Sequence, residues 1–253
     1  MVYNYLVIKT RWRNDMAVKD IELPDYKLRH ELWNSITHGV TALFGIAALI
    51  LMILKIAGVF TPNGLHIPLN DPYSYVACAI YGFSIIVCMT ISCIYHGLAK
   101  NNGKRVLRVL DHDFVFFLVA GTYTPYCLIT MRNLPLRGIS GSEWSGWLIF
   151  AIVWALIALG ITMNSVNIKK FGALSMIIYL CAGWMIIVNC VELVSALGIN
   201  GFLLLLFGGI SFSIGAILYG IGKSHSVWWH TVFHFFVSIG IILQFISIYL
   251  YVL

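Results

Sequence analysis

The chain has 253 residues, 60% of them hydrophobic and only 10% charged, which excludes an ordinary soluble domain, where about half of the residues are apolar and about a quarter charged. The formal net charge of +6 has no soluble basic domain to carry it, so it points to the charge bias of membrane topology and not to nucleic acid. Apolar stretches of about twenty residues, enough to cross ~30 Å of hydrocarbon as helix, recur along the chain, and backbone groups in lipid must be satisfied internally, which selects helices.

In chain order, residues 1–32 are mixed-charge and polar, contain Pro24 and lack the early apolar core of a secretory signal, so they read as a cytoplasmic N-terminal tail of flexible or interfacial character. Residues 33–253 read as one membrane domain, an all-α seven-transmembrane-helix bundle with spans near 34–59, 73–98, 112–131, 145–165, 171–191, 201–221 and 228–252. The breaks carry turn chemistry: Pro62-Asn63-Gly64 with Pro68 and Pro72, then Asn101-Asn102-Gly103, then Pro135 to Gly141. The six cysteines, Cys78, Cys88, Cys93, Cys127, Cys181 and Cys190, lie in apolar stretches without metal-ligand spacing and read as small buried residues. No internal repeat is evident.

Lys and Arg set the orientation. Lys9, Arg11, Arg13, Lys19, Lys27, Arg29, Lys100, Lys104, Arg105, Arg108, Lys169, Lys170 and Lys223 fall on the side of the N-terminus; Arg132 and Arg137 fall on the other, and Lys55 is within the end of the first span. Thirteen against two predicts a cytoplasmic N-terminus and, with seven spans, a C-terminus outside.

Ionisable residues inside spans are costly, and each one invites a functional hypothesis. Here they agree on one depth. His96 ends the second span, with Ser92 one turn earlier on the same face; Asp111-His112-Asp113 opens the third; His230 and His234 share a face at the start of the seventh. Three imidazoles suit zinc with a fourth position open to water, and zinc lowers the pKa of bound water to about 7. Asp111 is then a general base for that water or a ligand itself, and Ser92 an orienting group or a donor to a developing oxyanion. Haem between facing His residues is the other cofactor this pattern admits.

The remaining polar residues have plainer readings. His30, His66 and His225 read as interfacial anchors, His38 as a bond to a neighbouring helix, and Glu192 as a solvated helix end. His112 and Asp113 face either the interface or the site. Trp144, Trp147, Trp228 and Trp229 fit an interfacial belt.

Over residues 31–253 the chain resembles the hemolysin III family, the bacterial branch of the progestin and adipoQ receptor superfamily. The resemblance rests on Glu31-x-x-Asn34-x-x-Thr37-His38-Gly39, Ser92-x-x-x-His96, Leu110-Asp111-His112, Gly121-Thr122-Tyr123-Thr124-Pro125 and His230-x-x-x-His234, in that order. It implies seven helices, an intracellular N-terminus and a zinc ion near the cytoplasmic face held by His96, His230 and His234, with Asp111 acting through water. The wider group looks related to alkaline ceramidases, which hydrolyse a lipid amide. Two positions depart from the pattern. Gln244 stands where many bacterial relatives have another His, ~15 Å along the helix from His234, and Asp113 stands where relatives often have a small residue.

Three functions are therefore expected in this order. The first is a zinc-dependent hydrolase of a lipid amide or ester, taking its lipid substrate from the cytoplasmic leaflet. The second is a non-enzymatic membrane regulator, or receptor-like protein, with structural zinc. The third, a pore-forming cytolysin, needs a polar stripe through the whole bilayer, whereas the ionisable residues gather at one end.

Overall fold

The computed structural model of the chain describes residues 18–62, 64–136, 141, 143–222 and 225–253. Lys9, Arg11, Arg13, Arg137 and Lys223 of the charge count, and Asn63 of the first turn, lie outside these residues. The α-helices are α1 Leu28–Ile56, α2 Pro72–Gly97, α3 Asn102–Pro125, α4 Ser145–Val166, α5 Ile168–Trp184, α6 Cys190–Gly222 and α7 Trp228–Ser247. The described chain has six helical runs long and apolar enough to cross a membrane, because α5, a 3-10 turn at Met185–Asn189 and α6 form one run of 55 residues, Ile168–Gly222.

Local chemistry sets the helix starts. Asp71 caps α2 by accepting from the Ser74 amide at 2.9 Å, and Pro72, whose missing N–H costs nothing there, follows it. Asn101 and Asn167 cap α3 and α5 through the Lys104 and Lys170 amides at 2.8 and 2.9 Å. The first helix begins at Leu28, six residues before the predicted span, so Glu31 and His30 belong to it and not to the tail.

Successive helices pack side by side, α1 on α2, α2 on α3, α3 on α4 and α4 on α5, and α7 returns between α6 and α1. The 55-residue run, ~80 Å if straight, folds back on itself. Gly198 breaks it with φ 67°, and Trp184 Nε1 donates to Ser213 Oγ at 3.0 Å across the fold. Helix α3 is the most enclosed, 72% buried over its apolar window against 28% for α4, which is what lets it carry Asp111 and Asp113. At its crossing with α2, Gly121 brings the backbone onto Ser84, with no room for a Cβ.

The two ends of the bundle differ. The N-terminal ends of α1, α3, α5 and α7 meet the C-terminal ends of α2, α4 and α6 at one end, where the buried histidines lie. At the other, the His66 amide donates to the Leu253 carbonyl at 2.8 Å. There the last turn, Ile248–Val252, is a π-turn in which the Leu253 amide bonds to Ile248 O. That leaves the Tyr249 carbonyl for Lys55, whose buried ammonium donates to it at 2.6 Å and lies 4.8 Å from the Tyr249 ring centroid.

Candidate metal centre

His96 occupies the last turn of α2, where the helix is closed by Leu98. His230 and His234 are one turn apart in the first two turns of α7, so their side chains share a face. All three are buried. His230 Nε2 lies 3.1 Å from His96 Nε2 and 3.1 Å from His234 Nε2, and one ligand atom from each falls within 4.8 Å of the others. Ligands on a tetrahedral zinc, with Zn–N of about 2.0–2.1 Å, stand ~3.4 Å apart, close to this spacing.

The protons on these rings follow from their other nitrogens. His96 Nδ1 is 2.6 Å from Glu31 Oε2, and His234 Nδ1 is 3.2 Å from the Asn34 carbonyl. A carboxylate and a carbonyl accept, so both Nδ1 atoms carry the proton and both Nε2 atoms of the neutral rings are acceptors. Asn34 Nδ2 lies 3.5 Å from His96 Nδ1, but with the proton on Nδ1 both atoms are donors and Glu31 alone is the acceptor for His96. His230 Nε2 sits between the two acceptors and has at most one proton to give. A cation satisfies all three lone pairs at once; the donor set fits zinc.

A second tier positions these groups. Thr231 Oγ1 donates to Asn34 Oδ1 at 2.6 Å, and Lys104 Nζ reaches Glu31 Oε1 at 2.6 Å and the Leu98 carbonyl at 2.8 Å. Metal-bound His residues commonly hand their second nitrogen to a carboxylate or carbonyl in this way. Tyr26, just before α1, stacks on His230 with ring centroids 5.4 Å apart.

His230 and His234 open onto a cavity of about 500 Å³ whose wall also includes Ser92, Asp111 and His112. Asp111 is buried but lies outside the three-ligand group. Ser92 Oγ is buried without a hydrogen-bond partner among the described residues.

Several sequence expectations change. His38 packs on the neighbouring helix α7, its ring stacked on that of His234 with centroids 3.6 Å apart. His30, read as an interfacial anchor, is buried edge-on against Trp228. Asp113 turns to α4, accepting from Asn164 Nδ2 and Ser165 Oγ at 2.7 Å each. Glu192 is half-buried, with Oε2 out of solvent and unpartnered among the described residues. Gln244 is buried and faces a separate small cavity. The roles of Glu31, Asn34, Lys104 and Tyr26 are new. For Glu31 and Asn34 the signal was an acid and an amide three residues apart at the start of an apolar span.

The motifs that meet here are spread over most of the chain, and so are the matches to known proteins. The chain is 34% identical over 229 residues to "Hemolysin-3" of Bacillus cereus, covering 89% of this chain and 93% of that protein. It is 32% identical over 206 residues to "Hemolysin-3 homolog" of Bacillus subtilis (strain 168), covering 80% and 87%. Residues 26–245, which run from Tyr26 on His230 past the last histidine of the cluster, match the family described as "Haemolysin-III related", and the chain is a multi-pass membrane protein that belongs to that family.

Proposed function

We propose that the protein is a zinc-dependent hydrolase of a lipid amide or ester, crossing the membrane seven times with its N-terminus in the cytoplasm. The observation that carries this reading is the convergence of three imidazole Nε2 atoms, two of them from His230 and His234 on the wall of a cavity that is also lined by the buried Asp111 carboxylate and the Ser92 hydroxyl, unpartnered among the described residues. His96, His230 and His234 would hold the metal. A zinc ion there would supply Lewis acidity toward a carbonyl and acidify water.

The chain's own residues do the rest. Asp111 accepts the proton of the attacking water and returns it to the leaving amine or alcohol. Ser92 Oγ–H is free to donate to the oxyanion that develops on the substrate carbonyl. The apolar cavity wall holds the lipid chain and excludes bulk water. Seven crossings are supported by the reversal at Gly198, which makes two spans of the 55-residue run. A cytoplasmic N-terminus is supported by the cationic end of the bundle, where Lys100, Lys104, Arg105, Arg108, Lys169 and Lys170 gather. Both named relatives are bacterial, and the membrane is accordingly the bacterial plasma membrane.

The test compares purified wild type and Asp111→Asn on a panel of N-acyl and O-acyl lipids, with zinc measured in both. Asp111→Asn should keep most of its zinc and lose roughly 10²-fold or more in hydrolysis. Turnover insensitive to that substitution would remove Asp111 from the reaction.

One observation favours the second reading, a regulator with structural zinc: the histidines and their Glu31 and Asn34 partners tie α1, α2 and α7 together. Zinc-loaded wild type with no hydrolysis across the panel would select it.

A further inference from the structure

The cavity changes character along its length. On α3, Arg108 and His112 line one end and Phe116 the other; on α5, Lys169 lines one end and Tyr179 the other. Eight and ten residues separate Arg108 from Phe116 and Lys169 from Tyr179, or ~12 and ~15 Å of helix. His230 and His234 lie between a charged mouth and an apolar floor that also includes Met89, Val115 and Val237.

Two cations and two carboxylates meet at the mouth. Asp20 and Glu22 come from the segment that precedes α1. That segment is fastened by Ile21, which is buried and whose carbonyl accepts from Arg105 Nε at 3.1 Å, and by two surface ion pairs, Glu22 to Lys169 at 2.8 Å and Asp25 to Lys100 at 2.6 Å. Arg108 is half-buried and makes no ion pair with any described residue. The Lys169 hydrogen bond, and Arg108 at longer range, hold the Glu22 carboxyl below the usual carboxylate range. Arg108 and Lys169 line the same cavity as Glu22, whose side chain on Lys169 is three-quarters exposed and easily displaced.

We propose that Arg108 and Lys169 form a subsite for an anionic group on the head of an amphiphile whose single apolar chain fills the cavity, and that Glu22 occupies this subsite in the free protein. The inference rests on the preceding reading only for the place of the scissile bond, since binding requires no turnover. With the chain on Phe116, Tyr179 and Val237 and the anion on Arg108, the atoms between them pass the histidines. The substrate class is thus an acyl amide or ester whose leaving group is anionic. Guanidinium and ammonium donors give charge-assisted hydrogen bonds that a hydroxyl head cannot match.

Two probes of equal chain length separate the possibilities: N-dodecanoylglycine, which ends in a carboxylate, and N-dodecanoylethanolamine, which ends in a hydroxyl. Affinity is measured for the purified full chain in a neutral detergent at low salt, and released dodecanoate and zinc content are followed in parallel. Wild type should bind the glycine conjugate about tenfold more tightly or better, and the preference should fall as salt rises. Arg108→Gln should reduce the preference to within about twofold, while Glu22→Gln, by vacating the subsite, should raise affinity for the carboxylate probe several-fold and leave the other unchanged. Zinc content should be equal in all three proteins. Equal affinity for the two probes in wild type, or a preference that survives Arg108→Gln, would overturn the proposal. If the preference holds and neither probe is cleaved, the subsite stands and the hydrolase reading falls; if both are cleaved without preference, the reverse is true.

Discussion

Asn34 serves the site twice, through its backbone carbonyl on His234 and its side chain on Thr231 beside His230. Its carbonyl sets the proton on His234, and its side chain accepts from Thr231 at 2.6 Å. Asn34→Ala removes the side-chain contacts and keeps the carbonyl, so the histidines should remain but stand less well aligned. Zinc affinity should fall, but by less than the about 10–100-fold usual when a direct outer partner of a ligand is removed. His230→Ala and His234→Ala should lose most of the metal. His66→Ala should lose none, because His66 lies at the opposite end of the bundle, where its amide meets the Leu253 carbonyl. Metal analysis of the four purified variants checks this, and equal content in all of them would remove the assignment. Glu31 belongs to the same scale. A carboxylate in an apolar helix is expensive alone, and it is retained between a histidine and a lysine, each at 2.6 Å.

At the scale of helices, contact is set by where side chains are absent. At Gly121 a Cβ would collide with the Ser84 side chain at the α2–α3 crossing, whereas at Gly209 on α6 it would meet nothing within 4 Å. Gly121→Ala should therefore cost ~1–3 kcal/mol through forced separation of the two helices. Gly209→Ala should be neutral or stabilise slightly, since Ala is the better helix former. Thermal unfolding in detergent would distinguish them, and similar midpoints for the two variants would contradict the packing described. The α2–α3 crossing matters to the site because α2 carries His96 and Ser92 and α3 carries Asp111. A small displacement there moves the carboxylate relative to the histidines.

For the molecule as a whole, the cationic and histidine-bearing end and the Leu253 end face opposite ways. Reporters fused at the N-terminus and in the loop near Lys104 should read cytoplasm, and one placed after Leu253 should read the exterior. A cytoplasmic reading at Leu253 would require an even number of crossings, and the 55-residue run would then be the place to look, since it holds two of the seven proposed spans. That orientation would also put Arg108 and Lys169 at the cytoplasmic leaflet, within reach of an amphiphile arriving by its head.

Composition and apolar periodicity were enough to read a helical membrane bundle, because a chain in lipid has so few ways to satisfy its backbone. The depth of His96, Asp111, His230 and His234 was legible for a related reason: charged and polar groups in spans are rare, and agreement between distant helix ends stands out. Helix count along Ile168–Gly222 was harder, since a single glycine at φ 67° turns the chain and leaves no long polar break. Only the tertiary structure decided the partners. Asp113 and Asp111 are two residues apart and look alike in sequence, yet a helix points them some 200° apart, one to the α4 amide and hydroxyl and the other to the cavity. Tyr26 over His230 and Glu22 over Lys169 were illegible in a segment with no periodicity, because what holds that segment is the surface presented by α3, α5, α7 and the connection from α2 to α3 once they are assembled.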